Sequence, residues 1–237
     1  MRSVKPVLIL QHIDRGGPGL FAEFLRENAV PFEIRRPDRG APVPGERELE
    51  QFSGICLCGG TQSANDPHPW IHAELELVRA AAARELPVIG HCLGGQLISK
   101  ALGGDVTPQI PVEFGWHALR PVPGPVTDDW LGGLAPGLTA MQWHNERFSL
   151  PRGAAALLEG EHCRHQAFVV GHMLGMQFHV ELDEPLIRHW AEELRHLIPS
   201  PGVSVQTGDE VLDRLTENYP RSRALARRMY ETWLGKL

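Results

Sequence analysis

The residues best placed to do chemistry lie in Pro87-Val88-Ile89-Gly90-His91-Cys92-Leu93-Gly94-Gly95-Gln96, an apolar run that breaks on Gly-x-Cys-x-Gly. Residues 87–90 read as a buried strand and 97–102 as a helix, which leaves room for a tight turn with Cys92 at its apex. That is the geometry of a nucleophile elbow, where a strained strand-to-helix turn lifts one side chain into a pocket. The flanking glycines allow positive φ and leave space around the sulfur. A helix that starts just after the cysteine favours negative charge at its N-terminus, and the thiolate is the form that attacks carbonyls. A nucleophile needs a base, and the base needs a group to orient it. Gly175-Met176-Gln177-Phe178-His179-Val180-Glu181 supplies both. In extended chain, residues two apart project to the same side, so Glu181 can hold the His179 imidazole while His179 exchanges protons with Cys92. Cys92, His179 and Glu181 make a triad for acyl transfer.

Gly90-His91-Cys92-Leu93-Gly94-Gly95-Gln96 followed by Gln177-Phe178-His179-Val180-Glu181 resembles the class I, or triad-type, glutamine amidotransferases. Two further segments fit. Ile55-Cys56-Leu57-Cys58-Gly59-Gly60-Thr61 looks like the family's strand ending in a Gly-Gly turn, and Met141-Gln142-Trp143-His144-Asn145-Glu146-Arg147-Phe148 is similar to the Trp-His-x-Asp-x-Phe segment of the subgroup resembling the amidotransferase domain of GMP synthase. The chain departs from the family pattern in Val180 where Pro is usual, in Glu146 where Asp is usual, and in His91 where a small or aliphatic residue is common. None of these removes a catalytic atom. The resemblance implies Cys92 as nucleophile with His179 and Glu181, backbone N–H groups of Gly60 and Leu93 as the oxyanion hole, and Gly59 and Gln96 against the substrate glutamine. Glu113, in Val112-Glu113-Phe114-Gly115-Trp116, and His144 are candidate substrate-positioning groups, His144 reading equally as a partly buried histidine bonded to a loop.

Positioning these residues falls to a chain of 237 residues with 42% hydrophobic content, which suits one large α/β domain. The chain alternates strands near 7–11, 32–35, 55–57 and 87–90 with helices near 20–28, 70–84 and 97–102. This pattern implies a mostly parallel twisted sheet flanked by helices, a flavodoxin-like three-layer α/β fold, with the site at the C-terminal edge of the strands. Between Asp105 and Phe178 prolines and glycines punctuate short β-type runs, near 116–122, 154–158 and 167–170, read as hairpins added to the main sheet. A helix is expected over 183–197. Leu225, Met229 and Trp233 then recur at spacing four in a helical tail, as a stripe that docks on the parent domain or meets a second subunit. The expected organisation is an amidotransferase-like domain over residues 1–199 and a helical extension over 200–237 packed on it.

The formal charge of −6, with no basic run, argues against a nucleic-acid partner. No signal peptide or membrane-spanning run is read in the sequence, so a cytoplasmic location with no membrane partner is the default. Cys56 and Cys58 alternate with Ile55 and Leu57 and read as small core hydrophobes. His162-Cys163-Arg164-His165 has the residue types of a metal site but no second cluster at ligand spacing, so no metal and no cofactor are expected. Nothing after residue 200 resembles a phosphate-binding loop, so the expected function is release of ammonia from a small-molecule substrate, glutamine, for a separate synthetase partner or within a homo-oligomer. The alternatives are a self-sufficient hydrolase of a γ-glutamyl amide or peptide, and a non-catalytic binding or regulatory module.

Overall fold

A computed structural model describes residues 5–237; the short lead into the first strand read at residues 1–4 lies outside them. In chain order the elements are β1 (Val7–Leu10), α1 (Gly19–Glu27), β2 (Phe32–Arg35), β3 (Gly54–Leu57), α2 (Pro69–Ala83), β4 (Val88–His91), α3 (Leu93–Ala101), β5 (Val106–Ala118), β6 (Arg120–Pro121), α4 (Pro125–Leu131), β7 (Thr139–Phe148), β8 (Ala155–Glu159), β9 (Ala167–Val170), β10 (Met173–Met176), α5 (Glu184–Glu192), α6 (Gly208–Asp213) and α7 (Leu215–Leu234). Eight strands form one sheet in the order β2-β1-β3-β4-β10-β9-β8-β6. The first five in that order run parallel, and β9, β8 and β6 extend the sheet antiparallel.

Strand periodicity explains the layers. On β1, Val7 and Ile9 face one side and Leu8 and Leu10 the other, and all four are fully buried. Parallel strands covered on both faces read as continuous apolar runs for this reason. One face packs α2 and α3 through Ile71, Leu75, Val78, Leu93, Leu97 and Ile98. The other packs α1 and the tail helix α7 through Phe21, Phe24, Leu225, Met229 and Trp233. Cys56 and Cys58 sit in this second layer as buried free thiols, in keeping with their reading as core residues. The tail stripe is therefore covered by its own chain, with Phe21 edge-on to both Tyr230 and Trp233.

Four expectations need correction. The helix after Cys92 begins at Leu93, not Leu97, because Gly94 and Gly95 belong to its first turn. A Cβ on Gly94 would run into the Leu57 carbonyl and one on Gly95 into the Met176 carbonyl, so these glycines let α3 lie directly on strand backbone. The 116–122 run is the end of the longer β5, which pairs with β7 in a separate two-stranded ribbon and not in the main sheet. Short α4 stands where the sequence pattern shows no helix; its proline occupies the first turn, where the missing N–H costs nothing. The helix expected over 183–197 stops at Glu192 and is followed by a short 3-10 turn, Arg195–Leu197. Its start is as the sequence suggests, with the Asp183 carboxylate accepting from Leu186 N at 2.9 Å.

A third apolar cluster, including Phe114, Trp116, Met141, Ile187 and Trp190, joins the ribbon to α5 and α6 and closes one side of the strand edge. Because Trp233 is fully buried between α1 and the sheet, Trp233→Ala should cost about 3–5 kcal/mol of unfolding free energy. Denaturant unfolding checks this; a loss under about 1 kcal/mol would mean that the tail is not part of the cooperative core.

Candidate active site

Cys92 occupies the turn between β4 and α3 with φ 48° and ψ −105°, a conformation a non-glycine residue holds only when its surroundings enforce it. Enforcement comes from the glycines on either side. A Cβ on Gly90 would clash with the backbone of Gly94 and Gly95, so strand and helix approach as closely as backbone permits. The thiol is thereby lifted above the C-terminal edge of the sheet while the residue stays 6% exposed.

β10 runs beside β4, and its continuation carries Gln177, His179 and Glu181 across the mouth of the turn. His179 N donates to the Met141 carbonyl at 2.8 Å, which ties this segment to β7. His179 Nδ1 bonds Glu181 Oε1 at 2.6 Å, fixing the ring so that Nε2 is the free nitrogen. The Trp190 ring stands edge-on over the imidazole at 4.9 Å between centroids, and its indole N–H is held by the Arg15 carbonyl. Gly59 must be glycine-sized here, since a Cβ would lie 3.1 Å from His179 Cε1 and 3.7 Å from Cys92 Cβ.

Electrostatics reinforce the geometry. Burial pushes the His179 imidazole down, but the Glu181 carboxylate and then the Cys92 sulfur outweigh it and raise it to about 10. Burial pushes Glu181 up, and His179 followed by His91 overcomes this to hold it below the ordinary carboxylate range. His91, behind the nucleophile, is pushed down by burial and bonds the Tyr230 hydroxyl at 3.0 Å.

The remaining expected residues share one cleft of about 320 Å³, lined by Gly59, Gly60, Cys92, Gln96, Glu113 and His144 among others. Leu93 opens α3, where first-turn N–H groups have no acceptor within the helix. A Cβ on Gly60 would meet the Leu93 side chain at 2.7 Å, so the two residues are neighbours at the cleft floor. Gln96 is buried and donates weakly to the Glu146 carbonyl and to Gln177, both at 3.3 Å. Glu113 and His144 face each other across the β5–β7 ribbon and bond at 2.7 Å. His144 Nδ1 lies 2.9 Å from the Glu146 carbonyl.

Glu113, His144 and Cys163 thus form a second grouping of the same three residue types. Burial and then Glu113 push the Cys163 thiol up to about 12, which removes it as a nucleophile near neutral pH. Cys92, at a strained turn in an open cleft, is the one with reactive geometry.

Two contributors escape a reading of the sequence alone. Gln177 Nε2 lies 3.7 Å from Cys92 Sγ. It sits two residues before His179, so the alternation that links His179 to Glu181 is the signal that could find it. His12 carries no expectation from sequence, yet it is fully enclosed behind the Gly59–Gly60 turn, with Nδ1 at 3.0 Å from the Cys58 carbonyl and Nε2 at 3.0 and 3.1 Å from the Glu74 carboxylate. Both nitrogens face acceptors, so the ring is an imidazolium. No local signal joins residues 12, 58 and 74.

A three-layer α/β fold with a thiol at a strand-to-helix elbow and a histidine–carboxylate pair beside it defines a cysteine-dependent enzyme of the amidohydrolase and amidotransferase type. The family model for glutamine amidotransferase class-I matches residues 20–185, and the chain belongs to that family. A glutamine amidotransferase-like protein of Salmonella typhimurium, YfeJ, is 32% identical over 186 residues, covering 74% of this chain and 77% of its own. The amidotransferase-type relative from Sulfolobus acidocaldarius, one of the subunits of a glutamine-hydrolyzing GMP synthase, is 31% identical over 144 residues, 60% of this chain and 73% of its own. Among solved structures, a glutamine amidotransferase from Methylobacillus flagellatus superposes with a TM-score of 0.94 at 37% identity, over 99% of this chain and 96% of its own. Among the described residues no helix is long and apolar enough to cross a membrane.

Replacing Glu181 by Gln removes the main influence holding the proton on His179. The imidazole should then titrate well below the value near 10 that the pair sustains. Histidine ring NMR over a pH series measures this directly; an unchanged titration would show that Glu181 does not set the charge of His179.

Proposed function

We propose that this chain hydrolyses the side-chain amide of glutamine through a γ-glutamyl thioester on Cys92, and that the ammonia passes to a synthetase on a separate chain. The observation that carries the reading is the strained Cys92 turn facing the His179–Glu181 pair in one cleft.

The steps follow from the geometry. Glutamine enters with its amide carbon beside Cys92, and the thiolate adds to that carbon. Backbone N–H groups of Gly60 and Leu93 receive the negative oxygen, each donor being worth about 3 kcal/mol in the transition state. The proton on His179 Nε2 goes to the departing nitrogen, which leaves as ammonia. His179 then takes a proton from water, the hydroxide adds to the thioester, and glutamate is released with the thiolate restored. Glu181 keeps the imidazole oriented and stabilises its charged form throughout. Gly59 and Gln96 bound the amide end of the cleft, while Glu113 and His144 position the far end of the substrate.

The similarity to one component of a GMP synthase supports a synthetase partner as the recipient of ammonia. A second reading, hydrolysis of a larger γ-glutamyl amide with water as the only acceptor, is favoured by the reach of the cleft. It continues past Cys92 to Arg15, Leu194, Leu197 and Pro199, which is more room than departing ammonia requires.

Purified chain should release glutamate and ammonia from glutamine, and Cys92→Ser should lower turnover by about 10⁴-fold or more. Retained hydrolysis in that variant would overturn the assignment of the nucleophile. If γ-glutamyl amines are turned over much faster than glutamine, the second reading replaces the first.

A further inference from the structure

We propose that Glu113, His144 and Cys163 form a binding site for zinc, or a cation of the same borderline-soft character, in the wall of the cleft beside Cys92. The sequence offers His162-Cys163-Arg164-His165 without a partner cluster. The β5–β7 ribbon supplies one, bringing a carboxylate and an imidazole to Cys163 so that one donor atom from each lies within 4.8 Å of the others. One nitrogen, one oxygen and one sulfur donor is a set zinc accepts.

Two independent details point to a ligand. The first is how His144 is held. Its Nδ1 is bound to the Glu146 carbonyl at 2.9 Å, so that nitrogen carries a proton and Nε2 is aimed into the cluster. Metal-binding histidines are oriented in this way, the second ring N–H anchored on a carbonyl or carboxylate. The second is Glu113 Oε1, a carboxylate oxygen on a 1% exposed residue that has no hydrogen-bond partner among the described residues. His117 Nδ1 stands 3.9 Å from it, too far for a hydrogen bond. Its sister oxygen is satisfied twice, by His144 at 2.7 Å and by Gln166 Nε2 at 2.9 Å. An orphaned carboxylate oxygen in such burial is costly, and a cation would satisfy it.

The fit requires small movements. Tetrahedral zinc with its usual bond lengths separates neighbouring donors by roughly 3.3–3.7 Å. The Glu113–His144 contact at 2.7 Å must open slightly and Cys163 must move in. Two protons leave for each cation bound: the one shared between His144 Nε2 and Glu113 Oε2, and the one on Cys163 Sγ. Glu113 and His144 both line the cleft, so a fourth coordination position would open towards it. Three protein donors with one open position is the pattern of a reactive zinc site, where a closed structural site would have four. The cation site rests on the cluster alone and is independent of the reaction at Cys92.

The test uses the full chain carrying Cys92→Ser, which removes the other thiol able to take metal in the cleft. After treatment with chelator, the protein is titrated with Co²⁺ and then Zn²⁺. One equivalent of Co²⁺ should bind with a near-ultraviolet thiolate-to-cobalt charge-transfer band, and one equivalent of Zn²⁺ should displace it. Adding Cys163→Ser should abolish the band and weaken zinc binding by roughly 100-fold or more. Glu113→Gln, with native circular dichroism as the check on folding, should weaken binding without removing the band. No stoichiometric uptake, or uptake unchanged by Cys163→Ser, would overturn the proposal and leave the cluster as a hydrogen-bonded part of the core.

Discussion

Backbone lies on backbone where the N-terminal turn of α3 meets β3, β4 and β10, and the placement of every reactive group depends on that contact. Gly90, Gly94 and Gly95 are each pressed against main-chain atoms with no room for a Cβ. Only this approach allows a four-residue strand to pass into a helix with a single residue between them. That residue, Cys92, bears the strain at φ 48°. The same contact sets β10 at the right height for its continuation to carry Gln177, His179 and Glu181 over the sulfur. Strain at one residue is thus supported by the packing of three glycines, and the surrounding apolar layers supply the stability that sustains it.

Around the cleft the chain repeats one electrostatic device. Among the described residues, three histidine–carboxylate pairs are almost wholly enclosed: His12 with Glu74, His144 with Glu113, and His179 with Glu181. The first lies behind the Gly59–Gly60 turn, the second forms part of the ribbon wall, and the third faces the nucleophile. Each is a buried pair whose solvation has been given up, so removing one partner typically costs about 3–5 kcal/mol. Such pairs add little stability over an apolar replacement, but they are directional, and direction is what a cleft built from loops and strand ends lacks. Trp190 and Trp143, stacked edge to face at 5.1 Å, supply the apolar cover that keeps water from loosening the third pair.

The main sheet and the His179–Glu181 pairing beside Cys92 are legible in the sequence because both depend on short-range pattern. β1, β3 and β4 are largely continuous apolar runs, and the His179–Glu181 relation is a two-residue alternation. Less is legible between residues 105 and 178. Nothing local tells a strand that extends the sheet from one that leaves it, so the β5–β7 ribbon reads as part of the sheet, and short α4 has too few turns for a helical period. Sequence pattern places the start of α3 late because glycine pairs normally signal turns; here the packing of Gly94 and Gly95 on strand carbonyls overrides propensity. The His12–Glu74 pair, 62 residues apart in the chain, is set by tertiary packing alone.

Covalent trapping tests the central claim most directly. The native chain and a Cys92→Ala variant are exposed in parallel to an electrophilic analogue of glutamine, with intact mass as the readout. The predicted result is a single adduct on the native protein, suppressed by excess glutamine and missing from the variant. An adduct that persists in Cys92→Ala, or one on the native chain that glutamine does not suppress, would contradict a glutamine site assembled around Cys92.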